Sequence, residues 1–339
     1  MAESAIRTPA DVWMLVREHP APLKHSTQEL ATALERIHGA RFAVWHTDEL
    51  LFGVREGRLF LRTLGGLEVP PPRVVCVRQV PGSQHHDREV TLLRQLERMG
   101  AVLLNPLDSQ LVCHNKFWQL QELALAGLPV PDSLSYATAP LPAVVQAAGP
   151  GMPCVVKSVT GTGGNGVFLA PDARLLRDVA GNLAQGTPYL LQEYVAPSHG
   201  RDLRVVVVDG AAVAAEIRTS HDGSLASNLA RGGSATLCHG RYPEAEALAV
   251  QAARTVGLTV AGVDLLFTGT GSYTVCEVNA VPAWRPEMTG VVPAITACVA
   301  RHLGARGDQP APSAVPVPAA TKKVASSGTP VCSDPASSR

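Results

Sequence analysis

Residues 263–284 read VDLLFTGTGSYTVCEVNAVPAW, and they place two carboxylates and an amide inside runs that otherwise look like core strands. Asp264 lies in one apolar run. Glu277 and Asn279 lie in another, just past a glycine-containing break. A two-residue turn at Thr270-Gly271 sets Asp264 directly across from Glu277, and Gly262 across from Asn279. Strand side chains alternate, so Glu277 and Asn279 share a face. Opposed residues have Cβ atoms about 4.5–5.5 Å apart, and like charges there repel. A cation removes that conflict, because two carboxylates and an amide oxygen are hard donors suited to Mg²⁺ held jointly with a phosphate. A solvent-facing polar stripe on a two-sided hairpin is the other reading. This segment alone does not choose between them.

The rest of the chain gives the hairpin a setting. Its 339 residues allow two or three domains with a large core, and 46% apolar against 17% charged residues marks a soluble globular class. The formal net charge is zero, so nothing suggests electrostatic binding to nucleic acid. MAESAIRTPADVW has no basic stretch followed by an apolar one, and no run is long enough to span a membrane; neither a signal peptide nor a membrane partner is expected. The seven cysteines are scattered without a CxxC pair, which argues against disulfides and structural zinc and fits a cytoplasmic location.

Strand and helix signals alternate over residues 12–104. DVWMLV, RFAVWHTD, RVVCVRQV and AVLLNP read as strands. STQELATALERIHG reads as a helix capped by Ser26 and stopped by Gly39, and DREVTLLRQLERMG as a second. That alternation predicts a parallel sheet. CHNKFWQLQELALAG predicts one helix ending at Gly127, with Trp118 in the core. PCVVKSV and VFLA are strands around the glycine loop TGTGGNG, and residues 172–184 are helical. PYLLQEYV is a strand, and Asp209-Gly210 marks a hairpin within DLRVVVVDGAAVAAEIR. PEAEALAVQAARTVG, with Pro243 near its start, and VVPAITACVARHLG are the last helices. The boundaries that follow are a 1–11 extension, an α/β domain over 12–108, a central segment over 109–187 and a C-terminal segment over 188–303. Residues 304–339, rich in Pro, Ala and Ser, read as a disordered tail.

VVKSVTGTGGNGVFLA is neither a Walker P-loop nor a Rossmann fingerprint, because Lys157 precedes the glycines and a strand follows them. Glycines still let backbone N–H groups approach phosphates. Lys157 on an apolar strand is costly to bury without an anion, unless it snorkels from a flexible turn. Lys116 in HNKFWQL reads by itself as a solvated helix lysine. His85-His86 reads as a polar helix lead-in, and Cys113 and Cys276 as structural thiols.

The order of these signals is more informative than any one. A lysine helix, a lysine strand with a glycine hairpin, LQEYV, SHGRDLRVVVV, SNLARGG and an Asp…Glu-x-Asn hairpin together resemble the ATP-grasp superfamily, and within it the RimK-like amino-acid ligases. The resemblance covers roughly residues 12–303. NKFWQLQELALAGLPVPDSLSY and SHGRDLRVVVV look like the animal N-acetylaspartylglutamate and β-citrylglutamate synthases; SNLARGG and EVNAVP look more like bacterial RimK-type glutamate ligases. The fold implied is α/β (α+β), an ATP-grasp fold behind an N-terminal α/β domain.

The resemblance also implies roles. Lys116 and Lys157 would contact ATP phosphates, under a loop containing Gly161, Gly163, Gly164 and Gly166. Gln192 and Glu193 would begin the hinge, the backbone of Tyr194 and Val195 would read adenine, and His199 and Asp202 would line the nucleotide site. Arg204, Arg218 and Arg231 would be catalytic. Asp264, Glu277 and Asn279 would hold one or two Mg²⁺ or Mn²⁺ ions, and Asn228, Arg231 and Arg285 would meet substrate. His199 stands where many RimK-type enzymes carry lysine, and NAVPAWRPEM departs from both subgroups.

Phosphorylating a carboxylate turns a poor electrophile into an acyl phosphate, which an amine then attacks. The implied activity joins an amino acid, glutamate first among candidates, to a small carboxylic acid such as N-acetylaspartate or citrate. A glutamate ligase acting on a protein C-terminus or a cofactor is a rival within the class. A catalytically silent nucleotide-binding regulator is a rival outside it. A homo-oligomer is compatible with all three. A dehydrogenase is disfavoured, because the N-terminal unit lacks G-x-G-x-x-G.

Overall fold

Three sheets carry the chain past the candidate site. The computed structural model describes residues 10–17, 23–79, 86–147, 151–161, 166–183, 188–225, 227 and 232–305. Its N-terminal elements are β1 (Val12–Val16), α1 (His25–His38), β2 (Phe42–His46), β3 (Leu50–Arg55), β4 (Arg58–Thr63), β5 (Val74–Val77), α2 (His86–Arg98) and β6 (Val102–Leu104). The predicted parallel sheet forms in the order β2-β1-β5-β6. Its strands are apolar on both sides because α1 covers one face and α2 the other.

Two local expectations change here. Ser26 does not cap α1; Lys24 precedes the helix, and Ser26 is buried in the first turn with its hydroxyl 3.4 Å from the Arg78 guanidinium. β3 and β4 form an antiparallel hairpin that the sequence pattern did not announce. Glu56-Gly57 makes its turn with both residues at positive φ, and Glu is an unusual choice there.

The expected single helix through Lys116 is two helices, α3 (Leu107–His114) and α4 (Lys116–Leu125). Asn115 separates them, its side chain accepting from the N–H groups of Phe117 and Trp118. Starting α4 at Lys116 turns Lys116, Gln119, Leu120 and Leu123 inward. It turns Trp118 outward, so that side chain is 51% exposed rather than core.

The central elements are β7 (Ser133–Ser135), α5 (Leu141–Ala147), β8 (Cys154–Ser158), β9 (Val167–Ala170), α6 (Ala173–Asn182) and β10 (Tyr189–Glu193). They form an antiparallel sheet in the order β7-β10-β8-β9. β10 therefore pairs in this sheet, not in the segment after residue 188 to which the sequence division assigned it. Asp172 caps α6, which runs from Ala173 to Asn182 within the expected 172–184.

The last elements are β11 (Arg201–Val208), β12 (Ala211–Thr219), β13 (Ser234–Leu237), α7 (Pro243–Thr255), β14 (Val260–Gly269), β15 (Ser272–Asn279) and α8 (Val291–Ala305). They give an antiparallel sheet, β13-β12-β11-β14-β15, and Asp209-Gly210 turns β11 into β12 with both residues at positive φ. Leu203, Val205, Val207, Ala261 and Val263 pack toward α7. On the opposite face Val206, Val208, Ala214 and Val260 pack with α8 and Trp284. α8 continues to Ala305, past the expected start of the tail at 304; residues 306–339 lie outside the described ones. Among the described residues no helix is long and apolar enough to cross a membrane.

Asn105 ties the first sheet to the last. It is 1% exposed, accepts from the N–H groups of Thr259 and Val260 at 2.8 and 2.7 Å, and donates to the carbonyls of Val260 and Ala280 at 2.7 and 2.6 Å. Asn105→Leu strands those groups, at about 1–3 kcal/mol for each buried one. We expect urea denaturation to show a loss of at least about 3 kcal/mol; an unchanged midpoint would contradict the tie.

Candidate active site

The hairpin register agrees with the turn arithmetic at the site, by a route the arithmetic did not contain. Asp264 pairs with Glu277, and Gly262 with Asn279. Between them and the turn, Leu265 pairs with Val275 and Phe267 with Tyr273. Two register shifts, one near Thr268 and one at Cys276, cancel.

Antiparallel pairing then lays a row of charge across four strands. Glu277 on β15 faces Asp264 on β14, Asp264 faces Arg204 on β11, and Arg204 faces Glu216 on β12. Asp202 and Arg218 form the next pair along β11 and β12. The apolar face that meets α8 thus becomes polar toward one end of the strands.

Asp264 is the centre of the row. It is 7% exposed, and Arg204 grips it with two 2.7 Å hydrogen bonds from Nε and Nη2. Arg218 reaches it at 3.0 Å while also pairing with Asp202, which takes a further 2.8 Å bond from the Ser227 hydroxyl. Burial pushes the Asp264 carboxyl up, but Arg204 and Arg218 pull harder and bring it down to about 2. The same carboxylates hold the Arg218 guanidinium above its ordinary value against the opposing effect of burial.

Glu277 meets Lys116 at 3.2 Å. Gln119, one turn along α4, explains why. Its amide oxygen accepts the Val278 N–H at 2.5 Å, pinning α4 to the edge strand β15 beside Glu277. Lys116 Nζ also donates to the Gly161 carbonyl at 2.6 Å, and its N–H to Val159 O at 2.8 Å, so it bridges both sheets. Asn279 turns its amide nitrogen to Gly262 O and Asp264 Oδ2, each at 3.3 Å, leaving its oxygen without a partner among the described residues. Gly262 leaves room for this packing: a Cβ there would sit 2.9 Å from Pro282 and 3.8 Å from the Arg204 guanidinium.

Lys157 differs from the other cations. It is 5% exposed, and its ammonium has no ion pair or hydrogen bond among the described residues. With Lys116, Arg204 and Arg218 it makes four cations among the carboxylates of Asp202, Glu216, Asp264 and Glu277, and Glu216 is itself held by Arg285.

Other expected residues stand apart from this cluster. Gln192 is buried and donates to Ser133 Oγ at 2.8 Å; Glu193 bonds the Asp132 backbone; the Val195 carbonyl accepts from Ser198 N. Both His199 ring nitrogens are engaged, with Tyr194 OH at 2.9 Å and Gly223 O at 3.2 Å. Arg285 meets Glu216 at 2.7 Å and Glu287 at 3.2 Å, so its acid partners belong to the protein itself. Gly163, Gly164, Asn228 and Arg231 lie outside the described residues, as does His85. Burial raises the Cys113 thiol to about 12, aided by Glu277, and also raises Cys276; neither is an activated thiolate. Asn105, Asn115, Gln119, Glu216 and Ser227 escaped the sequence reading. Glu216 in AAVAAEIR carried the same signal as Asp264, an acid in an apolar strand.

Residues 113–293 match the model of the RimK-like ATP-grasp domain. The chain belongs to that family. It is 41% identical over 235 residues to human beta-citrylglutamate synthase B, covering 69% of this chain and 61% of that protein. It is 43% identical over 211 residues to mouse N-acetylaspartylglutamate synthase A, covering 62% of this chain and 55% of that one. The chain thus spans about three fifths of the length of these relatives. Its fold resembles the ATP-grasp ligase PsnB in complex with a phosphomimetic variant of its minimal precursor, Mg and ADP, at a TM-score of 0.61 and 21% identity over 87% of this chain and 99% of that one. The RimK-like match contains the whole charged row and both lysines.

The Asp264 carboxyl, at about 2 when folded against about 3.9 when unfolded, contributes stability that is complete above about pH 4 and lost as pH falls through 2. Asp264→Asn should cost about 3–5 kcal/mol at pH 7, because it leaves Arg204 buried without its acid. Urea denaturation at pH 7 and pH 3 should show a smaller gap between variant and wild type at the lower pH. An equal gap at both would contradict the assignment.

Proposed function

We propose that this chain is an ATP-dependent carboxylate–amine ligase that joins an amino acid, glutamate in the reading favoured by its relatives' names, to a small carboxylic acid such as citrate or N-acetylaspartate. One observation carries the proposal: Lys157, which is 5% exposed and whose ammonium has no ion pair or hydrogen bond among the described residues, lies beside the charged row. A lysine with a buried stem and no acid partner among the described residues suits a polyphosphate, which would supply the opposite charge.

Lys116 and Lys157 would bind the phosphates, with Gly161 and Gly166 at the ends of the covering loop. The strand end Gln192–Val195 would border the adenine, with His199 holding the neighbouring turn. The residues fit a divalent cation: Asp264 and Glu277 are carboxylates on one face, and the Asn279 amide oxygen has no partner among the described residues. Mg²⁺ there would neutralise charge on the transferring phosphoryl group. As phosphates take up Lys116 and the arginines, the carboxylates they now neutralise become available. Arg204 and Arg218 would stabilise negative charge on the acyl phosphate, from which the amine displaces phosphate to form the amide. Arg231, Asn228 and Arg285 remain proposed substrate contacts. The free cysteines among the described residues fit a reducing, cytoplasmic setting.

The test is ADP release with Mg-ATP across a matrix of acids and amino acids, with product mass. Citrate or N-acetylaspartate plus glutamate should yield a condensation product, and Glu277→Gln should abolish it without changing the circular dichroism spectrum. No ADP release with any pair would point to a silent regulator; full activity in Glu277→Gln would remove the metal assignment.

A further inference from the structure

The stretch after Asn279 meets a second arginine site. Arg78 follows β5 at the carboxyl edge of the parallel sheet, where ligands of open α/β sheets bind. Its Nη2 donates to the Pro282 carbonyl at 2.9 Å, and its guanidinium stacks 4.7 Å from the centre of the Trp284 ring. Weak contacts to Ser26 and Thr27 at 3.4 Å fix the other side. Trp284 is itself held by a 2.9 Å bond from its indole N–H to Glu29.

Arg78 therefore has its position fixed without its charge being matched. No carboxylate among the described residues lies within 4.0 Å of it, and Nη1 has no partner there. Burial lowers its pKa to about 10, opposed only by the Cys76 thiol and by no acid. Arg285, one of two arginines that the sequence offers as a carboxylate clamp, already holds Glu216 and Glu287.

Arg78 is linked to the charged row through Pro282 and Gly262. Pro282, whose carbonyl it binds, packs on Gly262, and the Arg204 guanidinium packs on the same glycine.

We propose that Arg78, presented by Pro282 and Trp284, binds a carboxylate of the small organic acid or amino acid that this site takes as substrate. The inference rests on the ligase reading and adds the residue that recognises the substrate's acid group. A guanidinium with free donors suits a carboxylate held by paired hydrogen bonds.

The experiment is calorimetric titration of the full chain, with Mg-ADP present and ionic strength fixed, using citrate, N-acetyl-L-aspartate and L-glutamate separately. Wild type should bind at least one saturably. Arg78→Gln should weaken that binding at least tenfold, and Arg78→Lys, which keeps the charge but not the fork, by an intermediate factor. Mg-ADP affinity should stay within twofold in both variants, which a general collapse of the loop would not allow. Wild-type affinity for the acid in both variants, or no saturable binding of any probe to wild type, overturns the assignment. If wild type binds an acid through Arg78 yet never releases ADP, the ligase reading falls and this one stands.

Discussion

The buried carboxylate of Asp264 is the constraint around which the last sheet is organised. Burying a charge is expensive, and Arg204 and Arg218 offset the cost only because the register of β11, β12 and β14 sets them beside it. Those arginines in turn bring Asp202, and Arg204 lies beside Glu216, so one buried acid requires a network. Lys157 is the member without an ion pair among the described residues. A network closed for stability alone would match its last cation.

Long-range polar ties hold that network in place. Asn105 joins the N-terminal sheet to both strands of the acidic hairpin through the backbone at Val260 and Ala280. Gln119 joins α4 to β15, which brings Lys116 to Glu277. Each side chain satisfies several buried backbone groups at once, and small errors in position would leave some of them stranded. Such ties allow residues more than 150 positions apart to share ångström-scale geometry.

Much of this was legible in the sequence because it follows from local rules. Asp209-Gly210 and Thr270-Gly271 fix their hairpins through turn geometry, and an acid within an apolar strand is conspicuous. The pairing of Asp264 with Glu277 was predictable from a simple two-residue turn, although two cancelling bulges produce it. What escaped depends on tertiary context. Asn115 looks like an ordinary polar residue within a helix until its capping role divides α3 from α4 and turns Trp118 outward. Ser26 looks like a cap but lies beside Arg78. Arg285 looks free but is paired, whereas Arg78 gave no signal at all, because its lack of an acid partner is visible only in space.

The central claim is that the site keeps a buried positive charge for a polyphosphate. The most direct measurement is the thermal stability of Lys157→Met and wild type, with and without saturating Mg-ADP. Removing a charge that has no acid partner among the described residues should leave the free variant at least as stable as wild type, while the stabilisation by Mg-ADP seen in wild type should largely disappear. A free variant markedly less stable than wild type, or one stabilised by Mg-ADP as strongly, would contradict the account.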